Sequence, residues 1–217
     1  MLRKDKIVIL DFDHTIFNTE LFKRHLKTIF LRYGITSDRY EQTYNYIRKK
    51  LKRPYDPALH VRLLEGEITD IKSLMTEVNG LVANSKNYLY EDVISFLESV
   101  KDDCELFLVS LGVKRFQQPK IDNCKINGFF TKVLLTEGEG GLKKDILKDL
   151  INENRDKKIA IIEDVPENID YIKRGFSYII AIKIERPGGK YSESKAELNN
   201  FTVKGLYQAT NIVKCIL

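Results

Sequence analysis

The chain has 217 residues, of which 43% are hydrophobic and 31% charged, a globular composition able to bury a sizeable core as one large domain or a domain with an inserted subdomain. No apolar stretch approaches the roughly 20 residues needed to cross a bilayer. The charged start at Arg3, Lys4, Asp5 and Lys6 does not read as a secretory signal, so no membrane partner is expected. Cys104, Cys124 and Cys215 are odd in number and lack metal-type spacing, which argues against a disulfide framework or zinc site and fits a cytoplasmic protein.

The net charge is +5, and residues 18–87 hold 13 Lys/Arg against 8 Asp/Glu, so the whole formal excess sits in that segment. Either this is an ordinary solvated surface or it attracts an anionic substrate.

In chain order, Ile7, Val8, Ile9 and Leu10 form a short β-branched run, suited to a strand buried on both faces of a parallel sheet. It ends in Asp11 and Asp13, which would emerge on one side of the strand end if extension persists. Two carboxylates held there repel unless a cation or a shared proton relieves them. Mg²⁺, which works with one or two carboxylates plus phosphate, is a natural partner. The plainer alternative is an Asp-rich turn after a strand.

Segment 18–87 reads as helical throughout. Leu21, Phe22, His25, Leu26, Ile29, Phe30 and Tyr33 recur at helical spacing before Gly34. Tyr40, Tyr44, Ile47 and Leu51 continue a helical period until Pro54, and two more helices are expected over 60–64 and 71–82, the last ending near Gly80. From residue 88 the texture alternates: helix 91–100, strand 106–109, short strand 133–135, helix 143–152, strand 159–162, helix 169–173 and strand 178–184. Such β/α alternation predicts an α/β fold with a doubly wound parallel sheet, interrupted after its first strand by a helical insertion. The domain boundaries expected are 1–17 and 88–217 for the sheet domain and 18–87 for the insertion. Residues 186–194 read as a polar, Gly-containing loop.

Three further stretches place chemistry beside predicted strands. Ser110 follows the apolar run Leu106, Phe107, Leu108, Val109, where a serine is usually a turn former. Gly140 and Gly141 lead through Leu142 into Lys143 and Lys144 at a helix start, where lysine opposes the helix dipole and is therefore informative. Glu163 and Asp164 follow the run 159–162, with Asn168 further along; acids here often only cap the next helix.

Taken together, Asp11-x-Asp13-x-Thr15, Ser110, the lysine pair and Glu163-Asp164 resemble the four motifs of the haloacid-dehalogenase-like (HAD) phosphohydrolases. Their order and the position of the helical insertion match as well. The resemblance implies a Rossmann-like core with a helical C1-type cap over 18–87. It implies Asp11 as nucleophile, Asp13 as general acid/base, Ser110 as a phosphate ligand, and a lysine that neutralises phosphate and nucleophile. Register against Ile146, Leu147 and Leu150 favours Lys143, with Lys144 the alternative. Mg²⁺ would be held by Asp11, Asp164 and the backbone carbonyl of Asp13, with Glu163 as a further ligand or supporting group, Asn168 organising the loop, and Thr15 a supporting residue that completes the first motif. His14 departs from the pattern, since glycine is usual there.

The expected function is a Mg²⁺-dependent phosphatase acting on a small phosphorylated metabolite, working through an aspartyl-phosphate. Alternatives are a phosphomutase of the same fold and a phosphorylation-dependent signalling or binding protein. Retention of Asp13 argues against the dehalogenase branch, whose leaving halide needs no proton. His25 and His60 read as packed or surface residues. The basic run Arg48, Lys49, Lys50, Lys52 and Arg53 reads more economically as a solvated helix end than as a nucleic-acid surface. No Gly-rich phosphate loop ending in Lys-Ser/Thr is present.

Overall fold

The computed structural model describes residues 4–136 and 141–217. Strand β1 (Lys6–Asp11) is the apolar run ahead of Asp11. Four helices follow: α1 (Thr19–Arg32), α2 (Ser37–Asn45), α3 (Pro57–Leu63) and α4 (Ile71–Ala83). Each begins at a polar side chain that accepts a first-turn N–H, namely Asn18, Thr36, Asp56 and Asp70. Pro57 stands at the first position of α3, where its missing N–H removes no hydrogen bond. α2 runs on into a wider π-helical turn, Tyr46–Lys50.

The chain then alternates: α5 (Val93–Val100), β2 (Glu105–Leu111), α6 (Lys114–Asn123), β3 (Lys132–Thr136), α7 (Gly141–Glu153), β4 (Lys158–Glu163), α8 (Pro166–Gly175), β5 (Ile180–Ile184), β6 (Phe201–Val203) and α9 (Leu206–Ile216). The six strands form one sheet in the order β3-β2-β1-β4-β5-β6, with every pairing parallel. The α/β doubly wound architecture expected from the sequence is therefore the observed one.

Alternation along the strands divides the interior into two cores. Val8 and Leu10 of β1, Leu106 and Leu108 of β2, and Ala160 and Ile162 of β4 join the core that also holds residues of α1, α4, α5 and α9. Ile7, Ile9, Phe107, Val109, Ile159 and Ile161 face the other way, into the core closed by Leu147, Leu150 and Ile151 of α7 and Ile172 of α8. Burial on both faces is why these strands read as continuous apolar runs. The order reverses at β1, so the crevice between the carboxyl ends of β1 and β4 is where such sheets gather ligands.

The structure corrects several boundaries. Gly80 does not end α4, which continues to Ala83. β5 starts at Ile180 because Tyr178 lies exposed in the preceding turn. α6, β6 and α9 were not anticipated. α6 hides because its buried residues, Gln117, Lys120 and Ile121, are mostly polar and Pro119 lies within it. Arg186, expected in a polar loop, is buried; its guanidinium donates to the Thr15 carbonyl (2.9 and 2.8 Å) and to Asp92 (2.6 and 2.8 Å). That contact ties the loop after β1 to the segment after β5 and to the start of α5.

His60 is fully buried in the insertion, between Thr43 Oγ1 (2.5 Å) and Tyr55 Oη (2.8 Å), and stacks on Phe30. Burial pushes its pKa down to about 4. The unfolded chain, with an imidazole near 6.5, then binds more protons than the folded one, so stability is complete above pH 6.5 and is lost as pH falls toward 4. The loss expected is about 3 kcal/mol at most. Thermal melts of wild type and His60→Gln across pH 4–7 check this: the wild-type slope should flatten in the variant.

Candidate active site

Asp11 closes β1 and Glu163 closes β4, so the neighbouring strands carry two carboxylates to one edge, and Asp164 follows directly. All three are buried. Lys143, in the first turns of α7, reaches between them: its Nζ donates to Asp11 Oδ1 and to Glu163 Oε2 (2.7 Å for the latter). Glu163 Oε1 accepts the Val165 N–H (3.1 Å), which fixes the turn into α8. Lys144 points elsewhere, with its Nζ 5.0 Å from the centroid of the Tyr171 ring. Gly140 lies outside the described residues.

Electrostatics make this corner over-acidic. Burial pushes the Asp11 carboxyl up to about 7; Lys143 opposes the shift and Glu163 adds to it. Burial, then Asp11 and Glu163, raise Asp164 to about 10. The Lys143 ammonium is held well above its ordinary range by Asp11 and Glu163, against the opposing effect of burial. Three carboxylates around one ammonium need a further positive charge, as protons or as a metal. The donor set fits a hard divalent cation: one oxygen each of Asp11, Glu163 and Asp164 lie within 4.8 Å of one another, and Asp164 Oδ2 is buried with no hydrogen-bond partner.

Asp13 belongs to a second, separate arrangement. Extension does not persist past β1, because His14 adopts φ 62°, a left-handed conformation that costs a non-glycine residue and that glycine enters freely. The Asp13 carboxylate turns to its own donors: Thr19 Oγ1 (2.7 Å) and Lys120 Nζ (3.0 Å) at Oδ1, and Gln117 Nε2 (2.6 Å) at Oδ2. Burial alone would raise its pKa, but Lys120 and the Thr19 hydroxyl overcome that and hold it at about 2. The same Gln117 nitrogen donates to Ser110 Oγ (2.9 Å), so the amide links Asp13 to the serine of β2.

Of the other residues expected at the site, Thr15 is fully buried with its hydroxyl unpartnered, and its carbonyl takes the Arg186 bonds. Asn168 lies in the first turn of α8, its N–H donating to the Val165 carbonyl (3.1 Å). The His14 ring is buried, with Nε2 3.8 Å from Glu20 Oε1. Sequence reasoning missed Thr19, Gln117 and Lys120. The available signal was Lys120 one turn after Gln117 and next to Ile121, on what proves to be the buried face of α6.

A doubly wound parallel sheet whose central strand ends supply clustered carboxylates and a buried lysine is the frame of a candidate active site in an α/β enzyme. The model of the haloacid dehalogenase-like hydrolase family matches residues 8–174, and the chain belongs to that family. No curated protein matches it in sequence. Among solved structures it is similar to a haloacid dehalogenase-like hydrolase from Burkholderia xenovorans (14% identity, 99% of this chain and 97% of that one, TM-score 0.78). It is also similar to YfnB, described as a HAD-hydrolase, from Bacillus subtilis, bound to magnesium (15%, 97% and 99%, 0.64). A third is L-2-haloacid dehalogenase from Xanthobacter autotrophicus with chloropropionic acid covalently bound (13%, 97% and 99%, 0.64). At these identities the likeness speaks for the fold. No helix among the described residues is long and apolar enough to cross a membrane.

Proposed function

We propose that this hydrolase is a Mg²⁺-dependent phosphatase that releases phosphate from a small phosphorylated metabolite. The observation that carries the reading is Asp13, a carboxylate held by Thr19, Gln117 and Lys120 beside Ser110, at a site whose nucleophile candidate is already supplied by Asp11. Displacing a halide requires no proton donor, whereas expelling an alkoxide from a phosphate ester does.

Asp11 attacks phosphorus, the bond to the leaving oxygen breaks, and an aspartyl-phosphate forms. Burial raises the Asp11 pKa to about 7, and a cation held beside it would join Lys143 in favouring the carboxylate form that attacks. Asp13 gives a proton to the departing oxygen and later takes one from the water that hydrolyses the intermediate. Its low resting pKa does not stand against this, because an arriving phosphate brings negative charge that favours the protonated acid. Ser110 donates to a phosphoryl oxygen and Lys143 balances charge there. When bound by Asp11, Asp164 and the Asp13 carbonyl, with Glu163 close by, Mg²⁺ supplies charge neutralisation between carboxylate and phosphate.

Helices α1–α4 serve in this reading as a C1-type cap. In support, Asp56 pairs with Arg115 of α6, and the rings of Tyr55 and Phe22 each lie 6.1 Å from that of Phe116. The test is phosphate release with Mg²⁺ over a panel of sugar phosphates, nucleotides and phosphorylated acids, beside halide release from 2-haloalkanoates. Phosphate without halide is expected; halide without phosphate overturns the reading.

The basic excess of the cap leads to a separate prediction. Lys49, Lys50 and Lys52 are exposed. Reversing two of them to Glu should lower kcat/KM at low salt and weaken its salt dependence, with little change in kcat. The difference should fade near 0.1 M salt, where the Debye length is about 10 Å. Unchanged kcat/KM at low salt would mark the run as an ordinary solvated helix end.

A further inference from the structure

Gln117 and Lys120 sit one turn apart on α6 and are both buried, yet neither carries a group that the proposed reaction consumes. Their hydrogen bonds form a closed set. The Gln117 amide nitrogen has two hydrogens, and both are used: one on Asp13 Oδ2 (2.6 Å), one on Ser110 Oγ (2.9 Å). Its oxygen accepts from Lys120 Nζ (3.1 Å), and the same ammonium donates to Asp13 Oδ1 (3.0 Å). This fixes the amide orientation, since a flipped carboxamide would set its oxygen against the Asp13 carboxylate and its NH₂ against the ammonium.

The surroundings are built around this pair. Lys120 Nζ lies 4.6 Å from the ring centroid of Phe17 and between 5.3 and 5.5 Å from those of Phe12, Phe22 and Phe116, an aromatic cage that keeps water off the cation. Gly112, two residues after Ser110, makes room for the amide: a Cβ there would stand 2.9 Å from Gln117 Cβ and Cγ.

We propose that Gln117 and Lys120 are positioning residues, an amide–ammonium bridge that aims the Asp13 carboxylate at the leaving oxygen and the Ser110 hydroxyl at the phosphoryl group. The proposal rests on the phosphatase reading above and deepens it. With Gln117 donating to Ser110 Oγ, the serine's own hydrogen is left to point at an acceptor elsewhere, which the phosphoryl oxygen provides. With three donors on a carboxylate that has roughly four lone-pair sites, one site remains for the reacting oxygen. Phosphate contact and proton transfer are thereby set by one rigid unit.

The experiment compares single-turnover phosphorylation rates on p-nitrophenyl phosphate, whose leaving group needs no proton, and on a simple alkyl phosphate, whose leaving group does. Gln117→Ala and Lys120→Met are measured against wild type, with melting temperature as a check on folding. Met fills the aromatic cage with an apolar chain of similar length. Gly112→Ala is the third variant, displacing Gln117 without altering any polar group. All three should lose about 100-fold more rate on the alkyl ester than on the aryl ester, the scale of a misplaced general acid. Equal losses on the two esters, in variants that remain folded, overturn the positioning role while leaving the phosphatase reading intact. Wild-type protein that releases phosphate from neither ester, nor from any member of the metabolite panel above, overturns both.

Discussion

The Asp11→Asn protein is expected to fold and to release no phosphate. The amide keeps the shape of the side chain but cannot attack phosphorus, so turnover should fall below detection on every ester that wild type hydrolyses. Lys143 retains Glu163 as a partner (2.7 Å), so the substitution leaves no isolated buried ammonium. It also removes one of three carboxylates crowded within 4.8 Å, which relieves repulsion in metal-free protein. Its melting temperature without metal should therefore equal or exceed that of wild type. Asp13→Asn should behave differently: with p-nitrophenyl phosphate it should still form the aspartyl-phosphate, which then accumulates for want of a base. Phosphate assays and intact-mass measurement of the phosphorylated chain separate the two. Near-normal turnover by folded Asp11→Asn protein would end the covalent mechanism.

The parts of this site that could be read in the sequence are those written locally. β1 and β4 each show an apolar run that stops at acids, because a strand buried on both faces must be apolar until it leaves the sheet, and its carboxyl end is where polar groups emerge. Ser110 and Lys143 were legible for the same reason, being placed against the apolar register of their own elements. The parts that could not be read depend on partners distant in the chain. Gln117 and Lys120 meet Asp13 across 104 and 107 positions, and Arg186 meets Thr15 across 171. A polar residue whose partner is remote looks like a surface residue, so α6 passed as a polar stretch and Arg186 as part of a loop. The left-handed turn at His14 was invisible for another reason: backbone conformation there is set by the loop, which hydrogen-bonds the His14 N–H to the Phe17 carbonyl (2.9 Å), and not by the side chain.

Metal dependence should be as complete as the loss of the nucleophile. Chelation is expected to abolish phosphate release and Mg²⁺ to restore it, because without a cation the buried acidic corner repels an incoming phosphate as well as itself. Binding should also be visible without any turnover. A ligand that binds only the folded state stabilises it by about 2.7 kcal/mol at 100 times its Kd, so Mg²⁺ should raise the melting temperature of wild type. Asp164→Asn removes one of the three clustered carboxylates, the one whose Oδ2 is left without a partner, while sparing both Lys143 contacts. That variant should lose most of the Mg²⁺-induced shift and demand far more metal for any residual activity. Ca²⁺ should stabilise wild type yet support little turnover, since its larger and looser coordination admits both oxygens of a carboxylate and takes up the lone pair Asp11 needs for attack. Full activity in metal-free buffer, or an undiminished Mg²⁺ shift in Asp164→Asn, would mean that protons and Lys143 alone balance the cluster, and the carboxylates would then need a role other than holding a cation.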